Sequence, residues 1–184
     1  MSAPDRVLET EMEEGDLCLV PFRAEHVEPL LEACARDMDI WEIYPVNMLD
    51  ADAEATLKRF HGEQGWVRFT VLLDGAVIGT TSYINPDPAN GTVMIGGTYI
   101  EPSARGTGAN RRMKELMIDH AIGCGFWRIE FTVDTRNERS MAAMEKLGAQ
   151  REGILRKNRV TWTGYVRDTA LYAILADEWR AAGR

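Results

Sequence analysis

The chain has 184 residues and a mass of 20.7 kDa, enough for one domain with a core that needs neither metal nor disulfide staples. Its 29 acidic residues against 21 basic ones give a net charge of −8, which argues against a duplex DNA binder because nothing offsets the phosphates globally. No apolar stretch is long enough for a membrane span, and the acidic start MSAPDRVLETEMEEGD lacks a signal peptide's basic end and apolar core.

Residues 1–16 read as a frayed acidic lead-in, and residues 17–184 as the single domain. LCLVPF, residues 17–22, predicts a strand. Residues 24–37 carry Val27, Leu30, Leu31 and Cys34 at helical spacing. Residues 39–47 hold Trp41, Tyr44 and Pro45, an aromatic loop that either covers the core or walls a substrate site. Residues 50–60 open on acidic residues and predict a second helix. The period then changes: VRFTVLL, the turn Asp74-Gly75 and AVIGTTSYI predict a hairpin, and TVMIGGTYI a further strand after a Pro, Asn and Gly-rich loop. A helix with Met113, Leu116, Met117, His120 and Ala121 on one side follows, then the strand RIEFTVD. ERSMAAMEKL predicts a helix closed by Gly148, and two strands come last, around residues 152–159 and 167–175, with Trp162 in the turn between them. This order predicts an α/β domain: a mixed, mostly antiparallel sheet of about seven strands with flanking helices. Cys18, Cys34 and Cys124 are odd in number and widely spaced, so they read as free thiols in a reducing cytoplasm, and no residue cluster has metal-ligand spacing.

The sharpest local signal is Arg105-Gly106-Thr107-Gly108-Ala109-Asn110, between a strand and a helix. Two glycines let backbone approach a ligand closely, and a helix start offers N–H groups with no intrahelical partner. Arg105, Arg111 and Arg112 add positive charge, which suits a pyrophosphate. The plain alternative is a tight strand-to-helix turn with solvent-facing arginines. The loop lacks the Gly-Lys-Ser/Thr ending of a Walker loop and the third glycine of a dinucleotide fingerprint.

With its context, this loop resembles the acetyl-CoA loop of the GCN5-related N-acetyltransferase (GNAT) superfamily, in its RimJ/RimL-like branch of ribosomal-protein N-terminal acetyltransferases. The match runs Ser103-Ala104-Arg105-Gly106-Thr107-Gly108, and it is joined by VDTRNERSMAAMEKLGAQREGILR and GYVRDTALYAILADEW, in the same order and at similar spacing. The resemblance implies acetyl-CoA in a cleft between two splayed strands, here residues 92–101 and 127–134. It implies that backbone near Tyr99, Ile100 and Glu101 pairs with the pantetheine, that amides of Arg105, Gly106, Thr107, Gly108, Ala109 and Asn110 hold the pyrophosphate, and that Asn137 contacts the pantetheine arm. Such relatives often form homodimers, and neither a metal nor a nucleic-acid partner is expected.

Acetyl transfer to an amine needs a neutral amine, an oxyanion donor, held reactants and a proton for the departing thiolate. A protein N-terminus, with a reference pKa of ~7.7–8.0, is partly neutral at pH 7, so direct attack in a ternary complex suffices. The acceptor is a protein N-terminal amine or a small-molecule amine. Ser140, at the place of a serine proposed in the branch to serve the departing sulfur, is the leading acid; its other reading is a helix cap or cofactor contact. Thr98 is the proton-handling candidate on the active strand, and the amides of Tyr99 and Ile100 are the oxyanion candidates. The tyrosine that many superfamily members use as the acid falls at Met144, and a glutamate of several relatives at Met94. A noncatalytic acyl-CoA-binding regulator of the same fold is therefore the rival reading. Trp41, Tyr44 and Trp162 are the candidate acceptor wall, with Glu42 available for a cation. Arg167 and Asp168 are expected to form an ion pair; Glu101 stands close to the cofactor loop as a candidate base, with solvent exposure as its other reading.

Overall fold

The computed structural model describes residues 7–61 and 64–183. Its strands are β1 (Met12–Glu14), β2 (Leu17–Pro21), β3 (Trp66–Leu73), β4 (Ala76–Asp87), β5 (Thr92–Ile100), β6 (Arg128–Asp134), β7 (Gln150–Val160) and β8 (Val166–Leu175). The helices are α1 (Val27–Ala35), α2 (Ala53–His61), α3 (Ala109–Gly123), α4 (Glu138–Leu147) and α5 (Ala176–Ala181). The strands form one eight-stranded sheet of order β1-β2-β3-β4-β5-β6-β8-β7, antiparallel except for the parallel pair β5 and β6.

The extra strand is β1, inside the segment that reads as frayed. Met12 pairs with Leu19 and is buried, while Glu13 and Glu14 face solvent. Arg112 on α3 fastens that edge through Glu14 (3.3 Å) and Asp16 (2.7 Å). The acidic run is therefore partly consumed in holding a strand, which composition alone hides.

Alternation divides the core between the two faces of the sheet. Leu17, Leu19, Phe69, Val71, Ile95, Ile129 and Tyr172 share a large cluster with Met113, Met117, Ile118 and Ala121 of α3. Phe22, Leu30, Cys34, Trp41, Met48, Leu57 and Tyr99 form a smaller cluster where α1 and α2 meet the sheet. On α3 the buried stripe is rotated from the expected one: Leu116 and His120 are half-buried, and Lys114 and Ile118 lie inside.

One break in the sheet decides where a ligand can enter. Strands β5 and β6 pair only at Thr92↔Arg128, Val93↔Ile129 and Met94↔Glu130. Beyond these positions β5 continues against β4 to Ile100, and β6 continues against β8 to Asp134, but they no longer pair with each other. The cause is a bulge. Between Thr80↔Tyr99 and Ser82↔Gly96, Gly97 and Thr98 stand opposite Thr81 alone. Gly97 takes the left-handed conformation, φ 60°, that such a bulge demands, and bulges bend the strand that carries them.

Candidate active site

The gap between β5 and β6 opens into two cavities. The smaller, of about 240 Å³, is lined by Ile100, Arg105, Gly106, Asn110, Arg139 and Ala143 on the side of the glycine loop. The larger, of about 280 Å³, is lined by Trp66, Arg68, Met94, Phe131, Met144, Arg159 and Arg167 among others. Tyr44, Thr98, Lys114, Asn137 and Ser140 line both, so they mark the junction.

The loop before α3 is shaped by its glycines. Gly106 (φ 78°) and Gly108 (φ 94°) are left-handed, and a Cβ on either would meet nothing within 4 Å. Their bareness therefore does not serve packing among the described residues, and Gly106 lines the smaller cavity. No side chain caps the start of α3 beyond Thr107, whose Oγ1 donates to Ala104 O (2.8 Å) and accepts from the Ala109 N–H (3.3 Å). Beside it, the buried Asn110 Oδ1 has no hydrogen-bond partner among the described residues. A buried acceptor left unpaired is costly, and a ligand donor in the smaller cavity would satisfy it. These residues fit a CoA pyrophosphate and pantetheine arm.

The arginines around this loop do not act as expected. Arg105 turns inward: its Nε donates to Ile100 O (2.8 Å), and its guanidinium pairs with Asp37. Arg111 pairs with Glu115 (2.8 Å) and Arg112 with the β1 edge. Sequence reading passed over the cation that does reach the smaller cavity, Arg139, which has no ion-pair partner among the described residues.

Strand β5 presents alternate backbone groups to the cleft. The Glu101 N–H donates to Ile78 O (2.8 Å), in line with the pairs Gly79↔Ile100 and Thr80↔Tyr99. By the antiparallel pattern Tyr99 therefore turns its amide to β4, and Ile100 turns its own to the cleft. Of the two oxyanion candidates, Ile100 has the right direction. The Tyr99 ring is buried in the α1–α2 cluster, with its hydroxyl donating to Ala33 O (2.9 Å). Glu101 is not solvent-facing: it is buried, paired with Arg36, and accepts from Ser103 Oγ (2.5 Å).

At the junction, Tyr44 donates to Thr98 O (2.6 Å), and burial pushes its hydroxyl up to about 12, so it stays a donor. Thr98 Oγ1 lies 2.9 Å from Thr81 Oγ1. Asn137 caps α4 by accepting the Ser140 N–H at 3.0 Å. The Ser140 hydroxyl has no partner among the described residues. Met94 and Met144 both line the larger cavity, where neither offers an acidic proton. A second residue that sequence reading missed is Lys114. It is 6% exposed, its ammonium lies 5.4 Å from the Phe131 ring centre, and burial pushes it down to about 8. The available signal was a lysine set between Met113 and Met117 on one helix.

The candidate wall residues separate. Tyr44 lines both cavities, but Trp41 is buried against Tyr99 (4.8 Å between ring centres) and lines neither. Trp162 also lies outside both, and its Nε1 donates to Trp41 O (2.7 Å) as a strut from the β7–β8 turn. Arg167 and Asp168 form no ion pair, since neighbours in a strand point to opposite faces. Asp168 accepts the Lys157 N–H (2.7 Å), and Arg167 faces Asp134 at 3.8 Å.

No curated protein matches the sequence. Among solved structures, a protein from T. thermophilus assigned as an acetyltransferase is 33% identical, with a TM-score of 0.84 over 98% of this chain and 95% of its own. A GCN5-related N-acetyltransferase from Brucella melitensis is 26% identical, with a TM-score of 0.88 over 98% of this chain and 83% of its own. RimJ of Mycobacterium smegmatis, solved in complex with CoA-disulfide, shares the fold at 22% identity, with a TM-score of 0.77 over 95% and 94%. The acetyltransferase (GNAT) domain family matches residues 16–150, and the chain belongs to that family.

Proposed function

We propose that the chain transfers an acetyl group from acetyl-CoA to a primary amine, by direct attack in a ternary complex. The observation that carries this reading is the parting of β5 and β6 beside a left-handed glycine loop, with two cavities that meet at Tyr44, Thr98, Lys114, Asn137 and Ser140. Only the smaller cavity touches the glycine loop, so it takes the cofactor, and the larger takes the acceptor.

Bound acetyl-CoA supplies a thioester-activated acetyl group. Amides of residues 105–110 hold its pyrophosphate, assisted by Arg139, while Asn110 and Asn137 face the pantetheine arm. The Ile100 N–H supports negative charge on the acyl oxygen. Lys114 Nζ, which burial lowers to about 8, receives a proton from the acceptor amine once it has lost its own. Ser140 Oγ gives a hydrogen bond or proton to the departing sulfur, and Thr98 Oγ1 holds a water or shapes the acetyl pocket. Parting of the strands thus holds two reactants in one cleft, which replaces much of the entropic cost of their meeting.

The RimJ/RimL-like branch, a cytoplasmic location and a homodimer complete the proposal; Cys18, Cys34 and Cys124 form no disulfide, and no helix among the described residues is long and apolar enough to cross a membrane. The rival, an acyl-CoA-binding regulator without turnover, rests on Met94 and Met144 at places where relatives keep proton-active residues. Calorimetry with acetyl-CoA, CoA and ATP, followed by thiol release across an amine panel, tests the assignment. Acetyl-CoA binding with turnover of an amine is expected. Binding without turnover of any amine selects the regulator, and tighter binding of ATP overturns both.

A further inference from the structure

The larger cavity carries an unusual charge. The chain has eight more acidic than basic residues, yet Arg68, Arg159 and Arg167 all line this space, and Asp134 is its one carboxylate among the described residues. That carboxylate is already engaged: Asp134 accepts from the Arg136 side chain at 2.8 Å and 3.1 Å and from the Arg136 N–H at 2.9 Å. Arg167 is left with a 3.8 Å approach to Asp134, too long for a hydrogen bond, and a 3.2 Å bond from Nε to Thr169 Oγ1. It is only 6% exposed. Burial first, and then repulsion from Arg159 and Arg136, press its pKa down against the pull of Asp134.

Arg159 compounds the imbalance. It stands directly opposite Arg167 across the β7–β8 ladder, and it has no ion-pair partner among the described residues. Like charges directly opposite in a sheet repel, and a buried guanidinium with incomplete counter-charge is expensive. A fold that keeps both at the wall of an open cavity retains a cost that an anion between them would remove. Arginine's planar fork also suits carboxylate and phosphate oxygens better than any other side chain.

We propose that the acceptor is a small amine that itself carries a carboxylate or phosphate, seated between Arg159 and Arg167 while its amine reaches the junction at Lys114 and Ser140. The inference rests on the acetyl-transfer reading for the role of the amine, but the anion seat stands on the arginines alone. It disfavours polyamines, whose charges the same wall repels.

The test uses the full chain saturated with CoA, which blocks the glycine loop as a competing anion site. Calorimetry compares O-phosphoethanolamine with ethanolamine, glycine with glycinamide, and both pairs with spermidine. The member of at least one pair that carries the anionic group should bind roughly tenfold or more tightly than the counterpart that lacks it. Which pair shows the gap tells phosphate from carboxylate. Arg159→Gln, exposed and therefore tolerated by the fold, should erase it. Absence of a gap in both pairs, spermidine binding as tightly as the anionic amines, or no binding of either anionic amine overturns the proposal. Thiol release from acetyl-CoA is read separately. Preferential binding without release keeps the anion seat and rejects transfer to these amines, whereas faster release with spermidine keeps transfer and rejects the seat.

Discussion

Lys114 is the residue on which the chemistry and the stability of this domain meet. Its ammonium has an aromatic face beside it and no ion-pair partner among the described residues, and desolvation is the cause that lowers it to about 8. An unfolded lysine titrates near ~10.4. Between those values the unfolded chain binds more protons than the folded one, so stability should rise with pH through that window, by at most on the order of 3 kcal/mol. Below about 8 both states are protonated and the slope vanishes. Urea unfolding of wild type and Lys114→Met at pH 7 and pH 10 checks this: the variant should be the more stable at pH 7 and should lack the gain at pH 10. In the proposed reaction the same group sets the rate. Turnover should climb as Lys114 loses its proton, and Lys114→Met should lose that limb with a fall of ~10²-fold. An unchanged pH profile in the variant would remove Lys114 from proton transfer. Ser140 is tested on the sulfur side. Ser140→Ala should keep acetyl-CoA affinity within ~1.4 kcal/mol, because one hydrogen bond is at stake, while the chemical step slows by ~10²-fold. Stopped-flow thiol release reads the step, and intact-protein mass spectrometry should find no acetyl-enzyme when the amine is absent.

Two backbone devices, the bulge in β5 and the loop before α3, turn an ordinary sheet into a cleft. The turn itself was legible in the sequence, because Gly106 and Gly108 stand between a strand and a helix, and both are left-handed. The bulge was also written there, as Gly96-Gly97 inside a strand of β-branched and aromatic residues, but a paired glycine does not by itself say which neighbour the strand abandons. Lys114 was hidden for a related reason. A lysine in an apolar stripe reads as a solvated edge until the strands above it part, and that parting is a tertiary event. Trp41 and Trp162 misled in the opposite direction, since aromatic residues in loops near a cleft serve equally well as cover, and here they brace each other. Gly108→Val separates the loop's two duties. With φ at 94° a β-branched residue is strained, so stability should fall by about 1–2 kcal/mol. Nothing in the protein lies within 4 Å of the new Cβ, so the domain should still unfold cooperatively. Acetyl-CoA affinity should drop far more than that strain explains, because the side chain would fill space that the proposal assigns to the pyrophosphate. Calorimetry on the folded variant decides it, and retained affinity would detach the loop from the cofactor.

The sheet ends on one side with a strand that has little cover. Strand β7 pairs only with β8, and Gly153 is its one residue that is not exposed. Such an edge invites pairing with another chain. Its sequence resists that, for Arg151, Arg156, Lys157 and Arg159 put charge along the strand, and two copies laid edge to edge would oppose like with like. The same end of the sheet nevertheless exposes Ile154, Leu155, Val160, Trp162, Tyr165 and Val166, each at 44% or more. An apolar group rimmed by charge is the pattern of a surface that docks by side chains. The proposed homodimer would therefore use exposed apolar side chains at this end of the sheet, not shared strand hydrogen bonds. Burial of apolar area is not screened by salt, so the dimer should persist at high ionic strength, where the repulsion between two chains of charge −8 is weakest. Sedimentation equilibrium at micromolar concentration should give twice the 20.7 kDa chain mass, and more firmly as salt is raised. The double variant Ile154→Asp, Leu155→Asp should return the chain to a single copy without loss of acetyl-CoA binding, since neither residue lines the cleft. A wild-type chain that sediments at 20.7 kDa across that range would reject the dimer and leave the arginine-rich edge as a guard against association.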